Sequence, residues 1–182
     1  MMTKEDAKKL LVVSKDELTV FAREHMDYIE ECLKDGDQDG LSPTLEVLTR
    51  TVNGETGQRQ LFLLGGGLNS DEAKEQTLRT CGSAVYEKEL VPVAACISFE
   101  AWHVERPADD AGLLANLRPR DDVTRKESIS LAAADLFCTE CLTTMIVIER
   151  TAEQLIKPSK FGEFYENARS DLLRMFYAGY FE

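Results

Sequence analysis

The sequence has no long hydrophobic run. No apolar stretch approaches the ~18 residues that a membrane-spanning helix needs. The N-terminal stretch MMTKEDAKKLLVVSKDE also lacks the sustained apolar core of a secretory signal peptide. Both absences argue against a membrane or secreted protein, and we therefore expect a soluble, cytoplasmic one.

Basic residues are scarce relative to acidic ones. Lysine and arginine together number 21 against 33 aspartate and glutamate residues, which gives a formal net charge of −12. A chain of this charge repels the phosphates of nucleic acids and of anionic lipids over a Debye length of about 8 Å at physiological salt. We therefore expect neither a nucleic-acid nor a membrane partner, and a protein partner fits the composition better.

Cysteines are few and odd in number: the five lie at positions 32, 81, 96, 138 and 141. Three of them fall in apolar stretches, which indicates reduced core thiols and not a disulfide framework. Cys138 and Cys141 have the spacing with which two thiolates hold one zinc ion. A structural zinc site needs four ligands, however, and the sequence has only two histidines. Packing or turn cysteines are the preferred interpretation, and a zinc-binding pair is the alternative.

The length and apolar content predict a single domain over residues 1–182. With 43% hydrophobic side chains, a chain of this length can bury one core of ordinary size. Within it, residues 105–123 carry three arginines, four aspartates and two prolines without periodicity. We expect this segment to form a long, mobile loop.

A long amphipathic helix is predicted near the N-terminus. Ser14 and Glu17 have the spacing of a capping box, in which each side chain bonds to the backbone amide of the other residue. Apolar residues then recur at intervals of three and four, which predicts a helix over residues 15–34 with one face against the core. His25 belongs to that apolar face and is predicted to be a hydrogen-bonded core or interface histidine.

The middle of the chain is typical of an antiparallel sheet. The stretch VPVAACISFEAWHV is apolar on both alternating faces, as expected for a central strand. Asn53 and Gly54 predict a turn between two alternating runs, and Asn69 or Ser70 can cap a following helix. We therefore predict an α+β fold with a mainly antiparallel sheet of about five strands. The predicted elements are a hairpin at 44–65 with strands 44–52 and 58–65, a helix at 70–89, and strands at 91–104, 125–135 and 142–150.

Aromatic residues are concentrated towards the C-terminus. Thr151 and Gln154 have the spacing of a capping box, and beyond Pro158 large rings recur at helical intervals. Each ring contributes about 1.5–3 kcal/mol when fully buried, so the rings must cover the domain's own sheet or another chain. We predict an aromatic C-terminal helix that forms the interface of a homodimer. The interface residues are Phe164, Tyr165, Phe176, Tyr177, Tyr180 and Phe181.

Polar residues near the predicted strand ends are candidates for catalysis. Glu100, His103 and Glu127 could form a hydrolytic or metal-dependent cluster at one end of the sheet. On an extended strand, Glu100 and His103 point to opposite faces, which argues against direct cooperation between them. A structural role for Glu100, paired with Arg125 or Lys126, is therefore preferred.

An acidic loop satisfies the spacing of an EF-hand calcium site. Asp35, Asp37, Asp39 and Glu46 occupy the positions of carboxylate ligands, and a predicted helix precedes them. Against calcium, Pro43 stands at a ligand position and the following residues alternate as in a strand. A solvated turn is the preferred interpretation, and calcium binding is the alternative.

No motif is specific enough to identify a family. The leading hypothesis is a non-enzymatic, acidic interaction protein without a cofactor, which acts through protein-protein contacts and associates with itself. One alternative is a small metal-dependent hydrolase that uses the strand-end acids and His103. The other is a calcium- or zinc-responsive module.

Overall fold

The structure is a computed structural model that describes residues 11–34, 41–51, 55, 57–103, 125–150, 156–160, 164 and 169–181. The predicted loop at 105–123 lies outside these residues. The helices are α1 (Lys15–Lys34), a 3₁₀ turn (Gly65–Leu68), α2 (Asp71–Glu87) and α3 (Asp171–Phe181). The strands are β1 (Thr44–Thr51), β2 (Gln60–Leu63), β3 (Leu90–His103), β4 (Lys126–Asp135), β5 (Cys141–Arg150) and β6 (Ile156–Lys160).

The strands form one antiparallel sheet in the order β2-β1-β3-β4-β5-β6. The predicted α+β class is confirmed, and the bounds of the five predicted strands agree with β1 to β5 to within two residues. The sixth strand has no counterpart in the sequence prediction, which instead expects a helix from the Thr151–Gln154 capping box, and it contains Pro158. Pro158 lies opposite Ile148 at the edge of the sheet. A proline is tolerated in an edge strand, because its missing N–H can face away from the neighbouring strand.

The C-terminal helix is shorter than the aromatic pattern predicts. Thr151 and Gln154 lie outside the described residues, and the segment after them pairs as β6 instead of forming a helix. Phe164 is not helical and is half-buried in the core beneath α1, whereas Tyr165 lies outside the described residues. The helix itself begins only at Asp171.

Helices cover both faces of the sheet. On one face α1 packs through Phe21 in a core shared with Cys96 of β3. On the other face α2 and α3 pack in a core that contains Phe176 and Ile97. Because successive strand residues point to opposite faces, residues 92–98 of β3 are buried on both sides. This burial explains why β3 is continuously apolar and does not alternate with polar residues.

The predicted capping box begins α1. The amide of Glu17 donates to Oγ of Ser14 at 3.2 Å, and the amide and hydroxyl of Ser14 donate to the Glu17 carboxylate at 2.8 and 2.9 Å. The hydrogen bonds from the Ser14 amide and hydroxyl hold the pKa of Glu17 below its usual value. The cap fixes where the helix begins and so which residues face the sheet, among them the buried His25.

One end of α2 is capped and the other is strained. Oγ of Ser70 accepts a hydrogen bond of 3.1 Å from the amide of Ala73. After the helix, the amide of Glu89 donates to the carbonyl of Tyr86 at 2.9 Å, and Glu89 has a φ of 56°. Glycine is the usual residue in this left-handed conformation at a helix end. The bend leads directly into β3 at Leu90.

Candidate functional site

A cluster of polar side chains is buried between α1 and the sheet. His25 of α1 and Ser98 of β3 have no exposed surface, and Thr44 of β1 is 2% exposed. Nε2 of His25 lies 3.0 Å from the Ser98 hydroxyl, which lies 2.7 Å from the Thr44 hydroxyl. The prediction of a hydrogen-bonded core histidine is confirmed, and the cluster joins three elements.

Glu46 extends this cluster towards the protein surface. Its Oε2 lies 2.8 Å from Nδ1 of His25, and its Oε1 accepts a hydrogen bond of 3.3 Å from Arg59, which also pairs with Glu24. Burial acts to raise the pKa of Glu46, but its hydrogen bond with His25, together with Arg59, holds that pKa below its usual value. The ionised carboxylate only accepts, so Nδ1 of His25 carries the shared proton and Nε2 can accept from Ser98.

Ser98, His25 and Glu46 follow the order of a hydrolase triad: hydroxyl, imidazole, carboxylate. In such a triad the serine oxygen attacks a substrate carbonyl. Here Ser98 lies within the sheet, in register with Thr44 on β1 and Leu131 on β4, and none of its surface is exposed. A substrate cannot reach this hydroxyl, so the cluster fixes α1 to the sheet and does not form an active site.

Glu100, a catalytic candidate in the sequence, contacts the main chain. Its Oε1 accepts a hydrogen bond of 2.8 Å from the amide of Leu41, in the segment between α1 and β1. The guanidinium of Arg125, one of its predicted partners, lies 4.6 Å from the centre of the Trp102 ring. The described contact therefore gives Glu100 a role in anchoring the chain that leads into β1.

Glu127 and His103 lie on neighbouring strands. The register places Glu127 opposite Trp102 and His103 opposite Lys126. The side chain of His103 lies outside the described atoms, so no described imidazole accompanies Glu100 and Glu127.

The candidate calcium loop is represented only by its last ligand. The other three ligands lie outside the described residues; they are Asp35, Asp37 and Asp39. Glu46 lies within β1, and its two oxygens are already bonded to His25 and Arg59. Across the described ranges, no group of three or more His, Cys, Asp or Glu side chains is placed to hold a metal ion.

Cys138 and Cys141 lie at the turn from β4 to β5. Burial raises the pKa of Cys141 to about 11, with Cys138 and Asp135 adding to the increase, and burial also raises the pKa of Cys138. A raised pKa disfavours the thiolate that thiol exchange uses. The Asp135 carboxylate accepts hydrogen bonds of 2.7 and 3.0 Å from the amides of Thr139 and Glu140. The described contacts thus stabilise a turn.

A groove opens where α2 and α3 end and β3 begins. Its volume is about 410 Å³. The rings of Tyr86 and Tyr180 are 5.9 Å apart at an angle of 76°, and Tyr86 is 65% exposed. The ring of Phe181 lies 5.2 Å beyond that of Tyr180. We call this feature the tyrosine groove, and its lining residues are Tyr86, Glu87, Glu89, Leu90, Val91 and Tyr180.

A close crossing of α2 and α3 forms the tyrosine groove. A Cβ on Gly82 would lie only 2.6 Å from the amide nitrogen of Tyr180. The Ser83 hydroxyl also donates to the carbonyl of Gly179 at 3.1 Å. Four residues after Gly82, on the same side of α2, Tyr86 meets Tyr180. Burial, and to a lesser extent Tyr86, raises the pKa of the Tyr180 hydroxyl, in keeping with a half-buried ring.

Negative charge lines the tyrosine groove. Glu87 and Glu89 contribute its charged side chains. Lys88, between them, donates a hydrogen bond of 2.6 Å to Gln60 on β2. Within the described residues, no ion pair involves Glu87 or Glu89. Aromatic rings and carboxylates without a described cationic partner therefore share one groove.

The aromatic residues of α3 fall into two groups. Phe176 has no exposed surface and Tyr177 is 4% exposed, with its hydroxyl donating to the carbonyl of Ala134 at 2.9 Å. These two rings cover the domain's own sheet. Tyr180 and Phe181 reach the surface beside the tyrosine groove, where Phe181 is 64% exposed.

The sequence pattern indicates Tyr180 and Phe181 as interface residues but does not indicate the tyrosine groove. It places Tyr86 and Glu87 in a helix that ends near Glu89 and gives these three residues no functional role. One local signal was present: Glu89 occupies the position after the helix where glycine or asparagine is usual. No local pattern in the sequence indicates that Tyr180, which is distant along the chain, contacts Tyr86.

No family model, curated protein or solved structure matches the chain. None of the helices in the described ranges is long and apolar enough to cross a membrane. The function has to be argued from the chemistry of the candidate sites.

Proposed function

We propose that the protein is a non-enzymatic binding protein of the cytoplasm that docks a basic partner protein at the tyrosine groove. The observation that carries this proposal is the combination, in one groove, of the Tyr86–Tyr180 ring pair with the carboxylates of Glu87 and Glu89. The buried polar cluster around His25 supports the scaffold and takes no part in binding.

The exposed rings are suited to protein recognition. Tyrosine is enriched among the residues that dominate binding energy at interfaces, because its ring buries a large area and loses little conformational entropy. Tyr86 and Phe181 are each about two-thirds exposed, at 65% and 64%. Both rings contact that of Tyr180, at 5.9 and 5.2 Å between centres, so a partner could cover all three rings in one contact.

The charge of the chain favours a basic partner. A net charge of −12 attracts a basic protein at long range, and the two glutamates of the groove continue that attraction at contact. A second copy of the chain carries the same charge and is repelled. Electrostatics therefore favour a basic partner over the homodimer expected from the aromatic pattern.

Binding of a labelled peptide of alternating lysine and leucine, followed by fluorescence anisotropy, tests the proposal. We expect the double variant Glu87→Gln, Glu89→Gln to bind about tenfold more weakly than the wild type, equivalent to ~1.4 kcal/mol. The matched control is Glu31→Gln, Glu72→Gln, at exposed positions outside the groove. Both variants change the net charge from −12 to −10. If the peptide binds in the groove itself, the affinity of the control variant for the peptide should change by less than about twofold.

Two results of the peptide experiment would overturn the proposal. One is an absence of binding to the lysine-leucine peptide at low salt; the other is equal weakening in the two double variants, which would reflect only general attraction. Sedimentation velocity of the wild type and of Phe181→Ser addresses self-association. A dimer that dissociates in Phe181→Ser would identify a second copy as the occupant and replace the basic partner.

A further inference from the structure

We infer that the tyrosine groove holds a single cationic side chain, a lysine ammonium or arginine guanidinium, against the ring of Tyr86 and the carboxylate of Glu89. This inference rests on the proposed function and specifies which chemical group of the partner is recognised. It treats the groove as a subsite for one side chain and not as a general docking surface.

The two tyrosine rings form a corner. They meet at 76° with their centres 5.9 Å apart, so their planes are nearly perpendicular. Tyr180 is half-buried, whereas Tyr86 keeps 65% of its surface open. A cation is attracted to the face of an aromatic ring when it lies within about 6 Å of the ring centre. The open surface of Tyr86 thus provides a position for a cationic group.

The other lining residues match a ligand with an apolar stem and a charged end. Leu90 and Val91 give the groove apolar side chains, and Glu87 and Glu89 give it negative charge. Lysine and arginine have this amphipathic form: their methylene stems lie along apolar surface while the charged group reaches a polar one. A bare metal ion would make no use of the apolar residues or of the rings.

The size of the groove also fits a single side chain. Its volume of about 410 Å³ is at the lower end of the range of about 300–1,000 Å³ that is usual for small-ligand pockets. One long side chain with some water can occupy such a volume. We call the cationic side chain of the partner the anchor. The exposed Phe181 next to Tyr180 can contact the partner residues that flank this anchor.

The backbone conformation of Glu89 supports its carboxylate as the group that binds the cation. A residue other than glycine in the left-handed region costs roughly 1–2 kcal/mol, and Glu89 has a φ of 56°. Glycine at this position would relieve the strain, but the groove would lose a carboxylate that lines it.

NMR titration with three amino-acid derivatives tests the inference. The probes are the Nα-acetyl methylamides of lysine, arginine and norleucine; norleucine has a comparable apolar stem without the charge. We expect the lysine and arginine derivatives to shift the ring resonances of Tyr86 and Tyr180, and the norleucine derivative to bind at least about tenfold more weakly.

Two variants locate the cation. Tyr86→Leu keeps an apolar side chain but removes the ring, and Glu89→Gly removes the carboxylate while relieving the backbone strain. Each should weaken binding of the lysine derivative by at least about fivefold. Glu72→Gln, an exposed carboxylate elsewhere on α2, should change it by less than about twofold. Circular dichroism of each variant confirms that it is folded.

The outcomes separate this inference from the proposed function. Equal binding of the norleucine derivative, or unchanged binding in both Tyr86→Leu and Glu89→Gly, would overturn the cationic anchor. If the lysine-leucine peptide binds at the groove but the free derivatives do not, the anchor is wrong and the proposed function stands. If the derivatives bind but the peptide does not, the groove is a site for small free amines and the proposed function is wrong.

Discussion

Gly82 and Gly179 bring the main chains of α2 and α3 into direct contact. A Cβ on Gly82 would lie 2.9 Å from the carbonyl carbon of Gly179, and both residues are buried. Tyr86 and Tyr180 lie immediately beyond this crossing, so the distance between the two helices sets the width of the tyrosine groove.

Alanine at either glycine should destabilise the protein. A Cβ on Gly179 would lie 2.7 Å from the carbonyl carbon of Arg79, and this contact is with rigid main chain. Overpacking typically costs about 1–3 kcal/mol, against a gain of up to ~1 kcal/mol from the higher helix propensity of alanine. We expect Gly82→Ala and Gly179→Ala each to lower the free energy of unfolding in urea by about 1–2 kcal/mol.

Thr80→Ala provides the control for this prediction, because Thr80 is exposed on the same helix. It should change the free energy of unfolding by no more than about 0.5 kcal/mol. A gain in stability for Gly82→Ala would show that the helices separate without penalty and that the crossing does not determine the groove.

Glycine should have opposite effects at Glu87 and Glu89. Glu87 is the last residue of α2, where glycine loses helix propensity at a cost of up to about 1 kcal/mol. Glu89 is in the left-handed region, where glycine removes a cost of about 1–2 kcal/mol. We expect Glu89→Gly to raise the melting temperature by about 2–4 °C and Glu87→Gly to lower it.

Both substitutions remove one negative charge from the same groove, so each is a control for the other. Scanning calorimetry of the two variants measures the difference. If Glu89→Gly melts below the wild type, the Glu89 side chain stabilises the fold by more than the backbone strain costs, and the strain no longer argues for a binding role.

The sequence was sufficient to predict the elements whose signals are local. The Ser14–Glu17 capping box marked the start of α1, and the doubly apolar pattern identified β3 as the central strand. The segment of β6 is the clearest failure, because the spacing of Thr151 and Gln154 predicted a helix, whereas the residues after them pair with β5 at the edge of the sheet, where Pro158 can be accommodated. Whether a strand lies at an edge depends on the whole sheet order, which local pattern does not determine.

The candidate sites depend on contacts between distant residues. His25 meets Ser98 across 73 positions of sequence, and Ser83 meets Gly179 across 96. His25 could be assigned to a buried face from its helical spacing, but its partners follow from the register of β1 and β3. The tyrosine groove depends in the same way on two glycines that have no pattern in common, and so the sequence indicated Tyr180 as an interface residue but not Tyr86, Glu87 or Glu89 beside it.

Acid should weaken the contact of α1 with the sheet through Glu46. Burial raises the pKa of this carboxyl, but His25 and Arg59 outweigh burial and lower it below the usual value. A group with a lowered pKa in the folded state stabilises the fold above its unfolded pKa of about 4.3 and loses that contribution as pH falls through the folded pKa. Glu46→Gln cannot titrate there, so its unfolding free energy should fall less than that of the wild type between about pH 6 and about pH 3.

Urea unfolding over this pH range measures the effect, and Glu72→Gln is the control for the change in charge. Glu72 is exposed on α2, away from His25, and its substitution changes the net charge by the same amount as Glu46→Gln. Parallel pH profiles for the wild type and Glu46→Gln would show that other carboxyl groups account for the loss of stability in acid.

Either hydroxyl alone, that of Ser98 or that of Thr44, should be sufficient as the hydrogen-bond donor to Nε2 of His25. Nε2 of His25 lies 3.0 Å from the Ser98 hydroxyl and 3.4 Å from that of Thr44. Removing one hydroxyl leaves the other as a donor, so Ser98→Ala and Thr44→Val should each cost only about 1 kcal/mol of unfolding free energy.

The double variant removes both donors and leaves a buried nitrogen without a partner, which costs a further ~1–3 kcal/mol. Its loss of stability should therefore exceed the sum of the two single losses, as measured by urea unfolding in a double-mutant cycle. Additive losses would mean that Nε2 does not depend on these hydroxyls. Labelling of Ser98 by a fluorophosphonate would be a separate contradiction, because a serine that reacts must be reached by the reagent and Ser98 has no exposed surface.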